Sequence, residues 1–174
     1  MSMILVTPLS AVTRTVETYK PSHLVSILSE ENLPETPAGI LTERHLRLAL
    51  SDITVAIEGR TLPAEAHIEK LLSFGESWTG DSPMLVHCWA GVSRSMAAAY
   101  ILLCQKLGAG TEYAIARNIR ARAAHANPNR LFIRLADNLL EREGRMIDAV
   151  TDMGRPKFVE EGVPVEMPLS IMGK

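Results

Sequence analysis

Short apolar runs alternate with amphipathic and polar segments along the first half of the chain. Three segments have the length and apolar content of buried strands, at residues 3–6, 23–28 and 84–87. Residues 45–50 alternate polar and apolar side chains up to Ala49, which predicts a fourth strand with one face covered. Between them the sequence predicts helices at residues 11–19 and 63–78, the second opened by Pro63 and carrying an apolar stripe. Polar stretches at residues 29–39 and 51–62 are typical of loops.

Helical patterns dominate the second half of the chain. An alanine- and leucine-rich segment predicts a helix over residues 95–107 that ends at a Gly-Ala-Gly sequence. Two further helices are predicted over residues 112–124 and 129–150, and we expect the second to bend at Gly144. From residue 151 onward the chain holds three prolines, three glycines and no clear period. This composition predicts an extended or poorly ordered tail over residues 151–174.

The order of these elements indicates the class of fold. Strands that alternate with helices favour a parallel sheet, because each crossover lays a helix on one face of the sheet. We therefore expect an α/β fold of three layers, with a mostly parallel central sheet, helices on both faces and a helical C-terminal half. No repeat or linker divides the chain, so residues 1–150 are expected to form a single domain, phosphatase-like by the resemblance given below.

Charge narrows the range of partners. The 174 residues carry 18 basic and 20 acidic side chains, a net charge of −2, which lacks the positive excess of a dedicated nucleic-acid-binding protein. Seven arginines do gather in the helical half: Arg117, Arg120, Arg122, Arg130, Arg134, Arg142 and Arg145. We expect them to form a solvated helical face rather than a site for RNA or an acidic substrate.

Cysteine usage and hydropathy bear on the cellular compartment. Cys88 and Cys104 are the only cysteines, too few for a disulfide framework, and they fit a reducing compartment. No apolar segment has the length needed to cross a bilayer. The first apolar run is short and has no basic residue before it, which argues against a secretory signal. We expect a cytoplasmic protein with no membrane partner.

The candidate chemistry lies between the last predicted strand and the helix that follows it. Cys88 ends the strand, five residues intervene, and Arg94 begins the helix. Such a turn aims several backbone N–H groups at one point before a helix N-terminus, which suits an anion such as phosphate. Together with Arg94, the residues of the turn are expected to bind phosphate: Trp89, Ala90, Gly91, Val92 and Ser93.

Other positions in this segment have individual uses. Gly91 permits a backbone conformation that a side chain would hinder, and the planar Arg94 guanidinium offers two donors to phosphate oxygens. The same positive field favours the thiolate form of Cys88, and the Ser95 hydroxyl is placed to hydrogen-bond the sulfur. His87 has no second ligand at metal-binding spacing, so we expect no metal there.

Three of the residues have plainer alternatives. Cys88 taken alone is compatible with a buried structural cysteine. Trp89 either lines the mouth of the pocket and contacts substrate or packs against a neighbouring loop. Cys104 lies within an apolar predicted helix and is expected to pack in the core, the alternative being a regulatory disulfide with Cys88.

One motif resembles the signature loop of the protein tyrosine phosphatases: His87, Cys88, five residues, Arg94 and Ser95. The sequence Ala-Gly-Val-Ser-Arg-Ser at residues 90–95 is most similar to the dual-specificity branch of that family. Residues 122–132, with Pro128-Asn129 inside, are similar to the segment that follows the active-site helix in that branch. The resemblance covers about residues 3–145. It implies that His87 steadies the loop through hydrogen bonds to the backbone.

The resemblance also implies a reaction in two steps. The Cys88 thiolate attacks phosphorus while an aspartic acid protonates the leaving oxygen, and water then hydrolyses the phosphocysteine with that aspartate as base. The family order places the acid on an upstream loop, where Asp52 lies 36 residues before Cys88. Glu58 on the same loop is the alternative acid. Asp81 precedes the strand that ends at Cys88, so we expect it at the opposite edge of the sheet.

These features predict a cysteine-dependent phosphatase of phosphate monoesters on a protein or small molecule, with phosphotyrosine favoured and phosphoserine or phosphothreonine accepted. No cofactor is implied, because the turn and Arg94 supply the positive charge that a metal would otherwise provide. The turn lacks the lysines of similar phosphoinositide phosphatases, which disfavours inositol lipids. Two alternatives stay open: a module that binds phosphorylated residues with little turnover, and a phosphatase of small molecules or nucleotides.

Overall fold

A five-stranded sheet forms the centre of the computed structural model, which describes residues 2–170. The strands are β1 (Met3–Pro8), β2 (His23–Leu28), β3 (His45–Ala49), β4 (Met84–Cys88) and β5 (Val165–Pro168). Their order across the sheet is β3-β2-β4-β1-β5. The first four strands in that order are parallel, and β5 pairs antiparallel with β1.

Helices cover both faces of this sheet, as the sequence predicts. They are α1 (Val12–Tyr19), α2 (Glu65–Ser77), α3 (Arg94–Leu107), α4 (Glu112–Arg122), α5 (Arg130–Leu139) and α6 (Arg145–Asp152). On one face, α1 packs in a cluster that contains Leu5 and Leu85. On the other face, the remaining five helices share a larger core with Ile4 and Val86. Adjacent residues of β1 and β4 thus serve opposite faces, because successive strand side chains alternate.

The helix that follows the candidate turn runs through the centre of the larger core. Eleven of the 14 residues of α3, from Arg94 to Cys104, are buried. A helix that is apolar on all sides is stable only when other elements surround it, and α2, α4 and α5 all pack against α3. This burial gives the N-terminus of α3 a rigid position. Within residues 2–170, no helix is both long and apolar enough to cross a membrane.

The predicted helix over residues 129–150 is wrong as a single element, because α5 and α6 are separate helices. Glu141 and Glu143 adopt left-handed backbone conformations, with φ of 53° and 54°, and Gly144 has a φ of 86°. The Asp137 carboxylate stabilises this break by accepting hydrogen bonds from the amides of Gly144 (2.7 Å) and Met146 (2.9 Å). A buried carboxylate that caps the second helix therefore replaces the expected bend.

Arg142 departs from the expected solvated face, as does the half-buried Arg120, which donates to four backbone carbonyls. Arg142 is buried and forms an ion pair with the buried Glu112 at 3.0 Å. Its other terminal nitrogen donates to the carbonyl of Cys104 at 3.1 Å. This arginine ties the break between α5 and α6 to α3 and α4, so it acts within the core.

The segment after residue 150, expected to be extended or poorly ordered, contains the fifth strand. Val165 and Met167 are buried and Glu166 between them is exposed, which is the alternation of a strand with one covered face. Four residues are too few for that pattern to predict a strand. Pro168 is tolerated because β5 lies at the edge of the sheet, where one row of backbone groups needs no partner.

Candidate active site

The four parallel strands place the two main candidate segments at one edge of the sheet. Parallel strands end at a common edge, so the turn after Cys88 of β4 and the loop after Ala49 of β3 lie on the same side. Strand β2 separates them, and the segment from residue 127 to 129 docks beside them. The amide of Asn127 donates to the carbonyl of Val92 at 2.9 Å, and the amide of Asn129 donates to that of Ser93 at 3.3 Å.

Cys88 lies at the base of the turn with its thiol almost fully enclosed. The side chain is 3% exposed, and its Sγ is 3.1 Å from Oγ of Ser95, on the first turn of α3. The sequence predicted this pairing from the position of Ser95. A hydroxyl at that distance can donate a hydrogen bond to a thiolate and stabilise it whenever the sulfur carries the negative charge.

Gly91 lets the turn lie directly against the end of β1. Its φ is +69°, a left-handed conformation that L side chains rarely adopt. A Cβ at this position would lie 2.6 Å from the backbone nitrogen of Pro8 and 2.8 Å from the carbonyl carbon of Thr7. Gly91 is therefore needed both for the backbone conformation and for the close contact, and it lies beneath the cavity rather than in its lining.

The amide groups of the turn are available to an anion. Within residues 2–170, no backbone N–H from residue 89 to residue 93 donates to another protein group. These residues precede the 14-residue helix α3, whose N-terminus adds a positive partial charge. The turn amides are therefore free to bind an anion, and phosphate binding by this turn stays a prediction.

Arg94 is held in a fixed position by one hydrogen bond and keeps a further N–H donor without a protein acceptor among residues 2–170. Its side chain is 8% exposed, and Nη1 donates to the carbonyl of Leu50 at 2.9 Å. Among the described residues, its Nε is buried and has no hydrogen-bond partner. Because buried polar groups are almost always paired, this N–H calls for an acceptor that the protein itself does not supply. An oxygen of a bound phosphate fits that requirement.

Asp52 reaches the turn from the loop after β3. Its Oδ1 accepts hydrogen bonds from Oγ of Ser93 at 2.7 Å and from Nδ2 of Asn129 at 2.9 Å. The structure therefore brings Asp52 and Cys88 to one cavity, as the family order of segments implied. Glu58 on the same loop does not line that cavity, and Asp81 lies before β4 at the opposite edge of the sheet.

Asn129 is a site residue that the sequence analysis missed. Its Oδ1 caps α5 by accepting from the amides of Leu131 and Phe132, both at 3.1 Å. Its Nδ2 donates to Asp52 and to the carbonyl of Ile53. An asparagine directly before a helix is a recognisable N-cap signal, whereas its contact with a residue 77 positions away depends on the fold.

The cavity that these residues form has a volume of about 360 Å³. Its lining is Asp52, Cys88, Trp89, Ala90, Val92, Ser93, Arg94, Asn127, Val159 and Glu160. Trp89 is 56% exposed at its rim, which favours the pocket-mouth position over packing against a loop. Val159 and Glu160 come from the segment before β5, to which the sequence analysis assigned no role.

Cys104 belongs to the core rather than to the site. It is fully buried in α3, and burial raises the pKa of its thiol to about 12. It lies nine residues beyond Ser95 on the same helix, which corresponds to about 14 Å along the axis. A disulfide needs Cα atoms within about 7 Å, so the alternative of a bond between Cys104 and Cys88 is wrong for this fold.

His87 is the buried end of a chain of hydrogen bonds that joins three strands. Its Nδ1 faces the carbonyl of Cys88 at 3.4 Å and its Nε2 lies 2.6 Å from Oγ of Ser26. The same Oγ is 2.8 Å from Nε2 of His45, whose Nδ1 is 2.8 Å from Oγ1 of Thr36. The carbonyl can only accept, so Nδ1 of His87 donates, Nε2 accepts from Ser26, and every later bond has a determined direction.

We expect His87 to make the folded state less stable in acid. Burial lowers the pKa of its imidazole to about 4, whereas an unfolded histidine titrates near 6.5. The unfolded chain therefore binds more protons, and the stabilisation present above pH 6.5 is lost as the pH falls towards 4. Between pH 7 and pH 5 the free energy of unfolding should fall by about 2 kcal/mol from this residue.

Urea unfolding at these two pH values measures the loss. His45, which is half-buried, and the other histidines contribute in the same direction. The same measurement on a His87→Asn variant isolates the contribution of His87, because the variant lacks this imidazole. An equal fall in the free energy of unfolding between pH 7 and pH 5 in the two proteins would contradict the prediction.

Within residues 2–170, no group of three or more histidine, cysteine, aspartate or glutamate side chains is arranged to hold a metal ion. The positive charge of the cavity comes from Arg94 and from the turn amides.

The fold is similar to that of solved dual-specificity phosphatases. The structure of PTPMT1 in complex with PI(5)P has a TM-score of 0.60 and 20% identity, over 88% of this chain and 96% of that chain. Human DUSP28 has a TM-score of 0.61 and 18% identity, over 79% and 91% of the two chains. Human tyrosine phosphatase-like serine/threonine/tyrosine-interacting protein has a TM-score of 0.61 and 20% identity, over 78% and 89%.

No protein-family model matches the sequence, and no curated protein sequence is significantly similar to it. The likeness in structure confirms the fold that the signature motif implied, a protein-tyrosine-phosphatase fold of the dual-specificity type.

Proposed function

We propose that this chain, which has the fold of the dual-specificity phosphatases, hydrolyses phosphate monoesters through a phosphocysteine intermediate on Cys88. The observation that carries the proposal is the convergence of three groups on one cavity. Cys88 is a nucleophile, the turn with Arg94 is a phosphate site, and Asp52 is a carboxyl group able to exchange a proton. Each of these groups taken alone can be explained by a structural role. Their presence in one cavity is explained by catalysis.

Binding places phosphorus in front of the sulfur. The turn amides and the N–H groups of Arg94 bind the phosphate oxygens that do not react, and they hold the phosphorus above Sγ of Cys88. The bond from Arg94 to the carbonyl of Leu50 fixes the guanidinium before substrate arrives. The donors are therefore preorganised, and they stabilise the charge of the transition state without rearrangement.

The first step exchanges an ester bond for a thiophosphate bond. The Cys88 thiolate forms the S–P bond as the P–O bond to the leaving group breaks. Asp52, in its protonated form, gives its proton to the leaving oxygen. The hydrogen bonds from Ser93 and Asn129 to Oδ1 of Asp52 leave its other oxygen free for this transfer.

The second step regenerates the enzyme. Water forms a P–O bond and gives a proton to the Asp52 carboxylate, and the S–P bond breaks to release inorganic phosphate and the Cys88 thiolate. The Ser95 hydroxyl, 3.1 Å from the sulfur, stabilises the negative charge that returns to it. No step in this sequence requires a metal ion.

Protein phosphotyrosine is the substrate that we propose, with phosphoserine and phosphothreonine as further leaving groups. The exposed ring of Trp89 at the cavity rim offers an apolar surface to an aromatic leaving group. One similar structure holds PI(5)P, but the turn between Cys88 and Arg94 has no basic residue to bind further phosphates. The two free cysteines suit a reducing compartment, and we propose a cytoplasmic substrate.

Trapping of the intermediate tests this function directly. The protein is incubated with an aryl phosphate labelled with radioactive phosphorus, in the presence of EDTA, and quenched in acid. We expect turnover that vanadate inhibits competitively and label on the peptide that contains Cys88, with the Cys104 peptide as an unlabelled internal control. Absence of turnover, with vanadate still bound, would instead support a module that binds phosphorylated residues.

Asn129 is expected to position Asp52 for the proton transfer. An Asn129→Ser variant keeps an oxygen that caps α5 but loses the Nδ2 donor, so its kcat should fall about tenfold. Its free energy of unfolding should stay within about 0.5 kcal/mol. The loss should be greater for a phosphate ester with a poor leaving group than for nitrophenyl phosphate, because only the former needs a well-placed acid.

The Asn129→Ala variant separates catalysis from capping. It loses the cap as well as the donor, so it should lose about 1 kcal/mol of stability in addition to the same reduction in kcat. If kcat falls only in Asn129→Ala, the residue acts through the stability of α5 and the positioning role is wrong.

A further inference from the structure

Residues 157–161, here called the wall segment, form one side of the proposed catalytic cavity. Val159 and Glu160 line the cavity together with Cys88 and Arg94. The segment has no regular secondary structure and lies between α6 and β5. Its position therefore depends on contacts with other parts of the chain, and those contacts occur at both of its ends.

The end of α4 holds the chain that enters the wall segment. Nε of Arg120 donates to the carbonyl of Met153 at 3.1 Å, and Nη2 donates to that of Gly154 at 3.3 Å. The amide of Lys157 then donates to the carbonyl of Ala124 at 2.8 Å. These bonds connect the start of the wall segment to α4 and the residues that follow it, which precede the turn that docks on the catalytic loop.

The catalytic turn itself holds the other end. The amide of Gly162 donates to the carbonyl of Ala90 at 2.8 Å, and Oγ of Ser10 donates to Oε1 of Glu161 at 2.6 Å. A Cβ on Gly162 would lie 2.7 Å from Nε2 of His125 and 3.2 Å from the carbonyl oxygen of Ala90. The backbone is thus packed against the phosphate-binding turn with no room for a side chain, two residues from Glu160.

The charges around the cavity are unequal. Among the described residues that line it, Arg94 is the single basic residue, whereas Asp52 and Glu160 are acidic. A bound phosphate occupies Arg94 and the turn amides, so no second cation of the lining remains for another anionic group. Lys157, at the start of the wall segment, is exposed and is not part of the lining. In a cavity of about 360 Å³, a second anionic group lies within a Debye length of about 8 Å of Glu160 and is repelled.

The segments that supply the cavity lining also carry exposed apolar side chains. Val55 and Ile57 are on the loop that carries Asp52, Trp89 is in the catalytic turn, and Phe158, which is 85% exposed, adjoins Val159. Exposed apolar groups beside a cavity favour a ligand with apolar surface next to its phosphate. Such a surface suits an aromatic ring in a peptide better than a hydroxylated and multiply phosphorylated headgroup.

We infer that the wall segment, through Glu160, determines specificity by selecting phosphotyrosyl peptides whose neighbouring side chains are neutral or basic. Peptides with acidic neighbours are disfavoured, because their carboxylates lie near that of Glu160. Headgroups that carry several phosphates are disfavoured for the same reason. This inference rests on the proposed function for the identity of the site, and it concerns which phosphate ester the site accepts.

Equilibrium binding to the Cys88→Ser protein tests the selectivity without requiring turnover. Three phosphotyrosyl peptides are compared that differ only in having lysine, alanine or aspartate on both sides of the phosphotyrosine. At low salt we expect the lysine peptide to bind about tenfold more tightly than the aspartate peptide. Adding Glu160→Gln should reduce this ratio to about threefold, and 0.5 M salt should reduce it in both proteins.

Glu76→Gln provides the matched control for the change in charge. Glu76 is exposed near the C-terminal end of α2, at the edge of the sheet away from the cavity, so the ratio should stay at about tenfold. Equal binding of the three peptides, a ratio unchanged by Glu160→Gln, or tighter binding of inositol bisphosphate than of the lysine peptide would overturn the inference.

The kcat/KM values of the natural protein for the same peptides separate this inference from the proposed function. Selective binding without hydrolysis of any peptide would contradict the proposed reaction and leave the selectivity of the wall segment supported. Hydrolysis of all three peptides at equal rates would support the proposed reaction and contradict the selectivity of the wall segment.

Discussion

A Cys88→Ser variant is expected to lose turnover of an aryl phosphate by a factor on the order of 10⁴ or more. A serine hydroxyl at the same position stays protonated at neutral pH and is a weak nucleophile. Its attack on phosphorus in the first step is therefore much slower than that of the thiolate. The measurement is kcat from steady-state release of phosphate, with EDTA present throughout. Because the amides of the turn and Arg94 are unchanged, vanadate should still bind.

Cys104→Ala is the matched control for this experiment. Cys104 is the second cysteine of the chain and lies in the core of α3, away from the cavity. Its replacement removes one buried sulfur, so it should lower stability by about 1 kcal/mol and leave kcat within about twofold. Substantial turnover in Cys88→Ser, or equal losses in the two variants, would remove Cys88 from the reaction.

An Asp52→Asn variant is expected to lose about 10²- to 10³-fold in kcat for phosphotyrosine, which has a poor leaving group. The new side-chain amide can still accept from Ser93 through its oxygen, so the loop keeps much of its local structure. The amide cannot, however, give a proton to the leaving oxygen. The loss should shrink for nitrophenyl phosphate, whose leaving group departs without protonation. A series of aryl phosphates measures this as a steeper dependence of kcat on the acidity of the leaving group.

Glu58→Gln tests the alternative acid on the same loop. Glu58 does not line the cavity, so its loss should leave kcat and the leaving-group dependence unchanged. If Glu58→Gln reproduced the expected behaviour of Asp52→Asn, the loop would have to close over the cavity in another conformation and the assignment of Asp52 would be wrong.

The fold by itself does not distinguish hydrolysis from binding. One of the similar structures is named as a tyrosine phosphatase-like interacting protein, and a fold supports several functions. The distinction therefore depends on individual side chains. Cys88, Asp52 and Arg94 line one cavity, and among residues 2–170 the Nε of Arg94 has no partner. Of these three side chains, a module that only binds phosphate needs Arg94.

Local sequence was sufficient wherever the structure depends on neighbours along the chain. The apolar runs predicted β1, β2 and β4 within a few residues, because these strands are buried on both faces of the sheet. The alternating pattern predicted β3, an edge strand in which only Leu48 is buried. The turn after Cys88 was predicted in the same way, since Cys88, Gly91 and Arg94 lie within seven consecutive residues of one strand–turn–helix unit.

Features that depend on distant contacts were predicted poorly. The pattern of apolar residues continues from α5 into α6, yet the buried Asp137 and Arg142 break the helix through bonds with backbone groups and with Glu112. Strand β5 has only four residues, and its stability comes from pairing with β1, which lies more than 150 positions earlier. Neither effect is encoded in the periodicity of the segment itself.

The sequence by itself determined how Cys88, the turn after it and Arg94 are arranged, because all three belong to one short unit whose geometry is local. Only the tertiary structure decided which residues surround that unit. It brought Asp52 and Asn129 together from positions 77 residues apart, and it placed Glu160 in the wall of the cavity. These contacts arise from the order of strands in the sheet and from packing against α3, which no local pattern of residues records.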